Sequence, residues 1–182
     1  MEKTLSYIAG YPADLQQKVR DMIAENRLRP FLLERYPGTH TVANDSDLRE
    51  YVMALKNAHM KKSAPLSKIV YDNRIHVINN ALGLHTYVSR VQGDRLKSKN
   101  EIRIGSVFKK APEPLLKMIV VHELAHLKER EHNRNFYQLC QHMLPDYFQL
   151  EFDMRLFLIE TDLGGSLYVP SERDGPADMV AE

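Results

Sequence analysis

His122-Glu123-Leu124-Ala125-His126-Leu127-Lys128-Glu129-Arg130-Glu131-His132 is the stretch on which the reading of this 182-residue chain turns. Upstream of it, Pro112 and Pro114 mark a helix start, where proline's missing donor costs little. The spacing then predicts one long helix from Pro114 to Arg130. Leu116, Val120, Leu124 and Leu127 lie on one side of it, and Leu115, Met118 and Ile119 share the histidine side. A helix apolar nearly all round is buried between two layers. His122 and His126, four residues apart, fall on one face within reach of a shared metal ion. Glu123 lies about 100° round from His122, where a carboxylate can take a proton from metal-activated water. The competing reading is a buried histidine pair satisfied by backbone or carboxylate hydrogen bonds.

A catalytic zinc needs a third protein ligand and one open position. His132 is six residues past His126, too far round if the helix continued. If the helix stops near Arg130 and the chain turns, His132 swings back, and Asn133 becomes the N-cap of the next helix with Phe136 and Leu139 as its buried stripe. The spacing of six matches the metzincin pattern, except that Glu129 stands where that pattern has a turn-making glycine. The alternatives are a downstream acid (Asp146, Glu151 or Asp153) as third ligand, with His132 an exposed loop residue. Those same carboxylates could instead orient the histidines from behind. A purely structural zinc would want four protein ligands and usually cysteines, and Cys140 is the only cysteine, with a helical setting that makes it a buried thiol.

Outward from this helix, the expected fold is α+β. Helical spacing runs from Pro12 to about Asn26, is interrupted at Pro30, and resumes to Arg35 before Pro37-Gly38. Asp45 or Ser46 is placed to cap a further helix reaching about Lys61. Residues 67–108 read as a small, mostly antiparallel sheet: Lys68 to Tyr71 and Ile75 to Ile78 joined as a hairpin by Asp72-Asn73, then Thr86 to Val88 and Glu101 to Ile104. Two helices follow the active-site helix, near 134–143 and 146–162, split at Pro145. The expected organisation is one domain over 1–162, with helical support in 1–62, the sheet in 67–108 and active-site helices in 113–162. Residues 163–182 turn to Ser, Pro, Gly and Asp and read as a disordered tail.

Composition narrows the function classes. Hydrophobic content of 43% and charged content of 27% are ordinary for a globular protein. A net charge of +1 gives no global pull toward nucleic acid or membrane. No stretch approaches a membrane span or a signal peptide, so the expectation is a soluble, cytoplasmic protein. Locally the balance differs. Between residues 90 and 110, seven basic side chains (Arg90, Arg95, Lys97, Lys99, Arg103, Lys109 and Lys110) face two acidic ones, a net of +5. A basic rim beside a metal suits a phosphate-bearing substrate, and could also hold nucleic acid.

The run from His122 to Phe136, followed by Leu144-Pro145-Asp146-Tyr147, resembles the YgjP-like metallopeptidase family, which is zincin-like and related to the SprT-like and WLM groups. The resemblance extends upstream through Arg103 to Pro112 and Val120-Val121. It implies a zinc site built from His122, His126 and His132, with Glu123 in the catalytic position and a peptidase activity. An extended peptide would then pair with an edge strand next to the active-site helix, expected at Glu101 to Ser106. Arg90, Arg103 and Tyr147 are the candidates for substrate or transition-state contacts, with His142, Tyr87 and His85 as further donors. The alternative reading is a metal-dependent nucleotide pyrophosphohydrolase using the basic segment. Peptide and nucleotide substrates both remain open at this point.

Overall fold

The computed structural model of the protein describes residues 6–75, 83–92 and 95–168, with residues 83–92 and 95–99 described by their backbone alone. Three N-terminal helices come first: α1 (Ala13–Ala24), α2 (Leu28–Arg35) and α3 (Asp45–His59). The break between α1 and α2 is made at Asn26, not at Pro30. Asn26 takes a left-handed φ of 54°, which asparagine tolerates better than most residues. The Asn26 and Arg27 N–H groups then donate back to the Ile23 and Met22 carbonyls, closing α1. Pro30 falls in the first turn of α2, where no donor is needed. At the start of α3 the cap is Asn44, whose Oδ1 accepts from Ser46 N and Asp47 N. Asp45, expected to cap, instead accepts the Tyr71 N–H at 2.9 Å and so ties α3 to the sheet.

The sheet corrects the expectation of a mostly antiparallel arrangement. Its strands are β1 (Leu66–Asp72), β2 (Gly83–Gln92) and β3 (Arg95–Gly105), in the order β1-β3-β2. β1 pairs with β3 in parallel, Ile69 opposite Ile102 and Tyr71 opposite Ile104, and β2 pairs antiparallel with β3. Among the described residues the partner of β1 is therefore β3; the hairpin partner expected across Asp72-Asn73 falls at His76 to Ile78, outside the described residues. Local alternation marks a strand but not its neighbour, and here the connection from β1 to β3 carries β2 within it. β3 is bonded on both sides throughout Glu101 to Ile104, so it has no free edge there.

Ile69, Tyr71, Ile102 and Ile104 are buried on the core face of the sheet. A 3-10 turn (Ser106–Lys110) leads into α4 (Glu113–Ala125), which is followed by α5 (Arg134–Met143) and α6 (Tyr147–Gly164). Every residue of α4 from Leu115 to Ala125 except Lys117 is buried, as its all-round apolar sequence predicts. It lies between the sheet and α6. Each fully buried Leu or Ile there contributes about 1.5–3 kcal/mol. The helix is shorter than predicted: it ends at Ala125, and a tight turn replaces residues 126–130. At the far end, Gly165 adopts φ 76° and terminates α6. Within the stretch read from composition as a disordered tail, residues 163–166 are exposed, but Leu167 is buried and the Tyr168 hydroxyl donates to the Tyr36 carbonyl. Among the described residues no helix is long and apolar enough to cross a membrane.

Candidate metal centre

The last turn of α4 carries His122 and His126 on one face, with ring centroids 5.0 Å apart. Leu127, Lys128 and Glu129 then turn back through N–H bonds to the Leu124 and Ala125 carbonyls. That turn needs no glycine. The only described non-glycine residue with positive φ is Asn26, so Glu129 sits in ordinary backbone. Asn133 caps α5, its Oδ1 accepting from Phe136 N at 2.9 Å, as its place in the sequence predicts. The cap fixes the direction of the preceding residue. His132 Nε2 comes to 3.1 Å from His122 Nε2 and 3.2 Å from His126 Nε2.

Three like nitrogens converging on one point form a candidate metal-binding cluster. With metal–nitrogen bonds near 2.0–2.1 Å, the edge of a tetrahedral site is about 3.3 Å, so the observed spacings suit an ion of that kind. Burial, with the neighbouring imidazoles next in effect, pushes His122 down to about 3, and burial lowers His126 too. Both are therefore neutral at ordinary pH, the form that a metal ligand requires. Their outer nitrogens are occupied. His122 Nδ1 lies 2.6 Å from the Tyr147 hydroxyl, and His126 Nδ1 lies 3.0 Å from the Glu129 carbonyl. With protons on the Nδ1 atoms, both Nε2 lone pairs face inward. The Phe136 ring forms a floor, 4.9, 4.6 and 4.8 Å from the rings of His122, His126 and His132.

Glu123 is 1% exposed, and its Oε2 has no hydrogen-bond partner. Burial raises its carboxyl to about 8. A buried carboxylate left unpaired is costly, and a nearby cation would relieve that cost. The chemistry of the donor set and this orphaned oxygen both fit a bound divalent ion.

The remaining sequence candidates go elsewhere. Asp153 is buried against Tyr36 Oη (2.6 Å) and Arg35 Nε (2.7 Å), and Glu151 pairs with Arg155 at 2.6 Å. Asp146 is exposed at the start of α6, and among the described residues no downstream acid joins the histidine cluster. The groups behind the histidines are a tyrosine and a backbone carbonyl rather than these carboxylates. Arg103 is held by Asp72 (2.9 Å) and Glu101 (3.0 Å) on the outer face of the sheet, so its guanidinium is already engaged by two carboxylates. Tyr147 is fully buried and engaged with His122, so it supports a ligand instead of facing substrate. His142 is exposed, with its ring near His59. The side chains of Arg90, Tyr87 and His85 lie outside the described residues. Cys140 is buried, and burial pushes its thiol up to about 12. Sequence reasoning missed the roles of Tyr147 and Phe136; helical periodicity marked Phe136 as buried, but nothing local shows what it lies beneath.

A family model described as "YgjP-like, metallopeptidase domain" matches residues 40–155. The chain belongs to the YgjP-like family. A relative from Escherichia coli (strain K12), described as "UTP pyrophosphatase", is 59% identical over 160 residues, covering 88% of this chain and 96% of its own. No solved structure matches the chain. As a YgjP-like protein it is a metal-dependent hydrolase, and the three-histidine cluster at the end of α4 is its candidate metal site.

Proposed function

We propose that this YgjP-like protein is a zinc-dependent nucleoside triphosphate pyrophosphohydrolase, with His122, His126 and His132 as metal ligands and Glu123 as general base. The observation that carries the hydrolytic chemistry is the convergence of three imidazole Nε2 atoms, with the buried, unpartnered Glu123 carboxyl next to His122 in the chain. The choice of phosphoanhydride is supported by the relative named as a UTP pyrophosphatase, which aligns over nearly its whole length. The peptidase reading loses the physical support it had. Glu101 to Ile104, expected to offer an edge to an extended peptide, is the centre of the sheet.

His122, His126 and His132 would hold a divalent ion, which would supply Lewis acidity for activating water. Glu123 takes the proton of the attacking water as the bond between the first and second phosphates breaks, leaving nucleoside monophosphate and pyrophosphate. Tyr147 and the Glu129 carbonyl hold the two helix histidines in register, and Phe136 keeps water from the underside of the cluster. Metal analysis of the purified protein, joined to pyrophosphate release from uridine triphosphate with and without chelator, tests this reading. The expected result is about one metal ion per chain and release that the chelator abolishes. Cleavage of a quenched peptide library without pyrophosphate release would reject it.

A further inference from the structure

We propose that the aromatic wall formed by Tyr137 and Phe148 is the nucleobase platform of the site. The inference rests on the nucleotide reading above and deepens it. His132 is the exposed member of the histidine cluster, so solvent and ligands approach from its side. The Tyr137 ring stands 6.4 Å from His132, and the Phe148 ring a further 5.4 Å from Tyr137, each pair inclined by 33°. The three rings thus follow one another outward from the candidate metal-binding nitrogens. Two ring steps are comparable with the reach of a nucleotide from its base to its phosphates.

The wall is held from behind by the groups that build the metal centre. Tyr137 meets Phe136 edge-on, and Tyr147 packs against both Tyr137 and Phe148. Tyr147 and Phe148 are adjacent in the first turn of α6, so the helix turns one ring inward to His122 and the next out to solvent. Phe148 is 47% exposed, one of three large apolar side chains so placed among the described residues, and of these it is the one that joins the ladder to the histidines. A ring packed on one side and exposed on the other has area to offer a flat ligand. Bases stack on such rings with little dependence on which base is present. The wall therefore selects for a base, and it leaves the choice among bases to other contacts.

The test compares uridine triphosphate with ribose 5-triphosphate, which has the phosphates and sugar but no base. The quantity read is the ratio of kcat/KM for the two substrates. In Phe148→Ala this ratio falls about tenfold, mainly through KM for uridine triphosphate, whereas Phe148→Trp keeps it near the wild-type value. Tyr137→Leu lowers the ratio in the same direction. Metal content and circular dichroism of the variants check that the site and fold are intact. A ratio in Phe148→Ala within twofold of wild type, with both substrates hydrolysed, rejects the platform and leaves the nucleotide reading standing. No pyrophosphate release from either substrate by the wild-type protein rejects the nucleotide reading, and the platform with it.

Discussion

The turn between α4 and α5 and the outer face of the sheet are both rich in polar side chains, and they resolve them in opposite ways. On the sheet, Arg103 is matched by two carboxylates, and Asp72 also accepts from the Arg74 backbone. At the end of α4, three imidazoles turn like atoms toward each other and Glu123 Oε2 pairs with nothing. The first region is complete as it stands; the second has the donor set to hold a cation. Unsatisfied polar groups in an otherwise well-packed core are a better pointer to chemistry than local charge density is. The charge count favoured residues 90–110, but its one described, half-buried arginine is already neutralised.

The largest effect should come from the unsatisfied region. Glu123→Gln keeps the volume and the bound metal but removes the base, and pyrophosphate release should fall by about 10²–10⁴-fold. Retained activity at full metal content would end the general-base assignment. Tyr147→Phe removes the hydroxyl beside His122 Nδ1. Loss of such an outer partner weakens metal binding by about 10–100-fold, which competition with a metal-binding dye would measure. An unaltered affinity would mean that the contact only fills space.

The sheet face should respond weakly. Arg103→Met breaks two partly exposed ion pairs, so unfolding stability should change by less than about 1 kcal/mol and turnover by less than twofold. A large loss of turnover with stability intact would return Arg103 to the substrate site. The smallest effect concerns acid. Hydrogen bonds from the Arg74 backbone and side chain, with Arg103 after them, lower Asp72 from 3.8 to about 2. A carboxylate whose folded pKa is depressed contributes stability that is fully present above its unfolded value and lost as pH falls through the folded value. Thermal unfolding midpoints between about pH 4 and pH 2 should therefore decline slightly less steeply for Asp72→Asn than for the wild-type protein. Parallel declines would show that Asp72 is equally acidic in both states.

Much of the candidate site was legible because it is local. Two histidines four apart share a helix face by geometry alone, and the intervening Glu123 is carried beside them. Asn133 announced a helix start, and a chain that stops at Ala125 and restarts at Arg134 leaves a short turn in which His132 can come back. The expected glycine at position 129 proved unnecessary, since the turn uses no left-handed residue there. The sheet was legible only as strands. Alternation in Lys68 to Tyr71 and Glu101 to Ile104 says which faces are buried, but strand order depends on pairing over some 30 residues of intervening chain.

Sequence alone thus determined the buried helix, the two histidines and the acid between them, because helical periodicity ties those positions together without reference to the rest of the chain. Tertiary structure decided that β3 is central, that Arg103 belongs to Asp72 and Glu101, and that Tyr147 stands behind His122. Apart from the Arg103–Glu101 pair, each of these joins residues distant along the chain. Such contacts form only when the core closes around α4, and no periodicity in the sequence encodes which partner arrives.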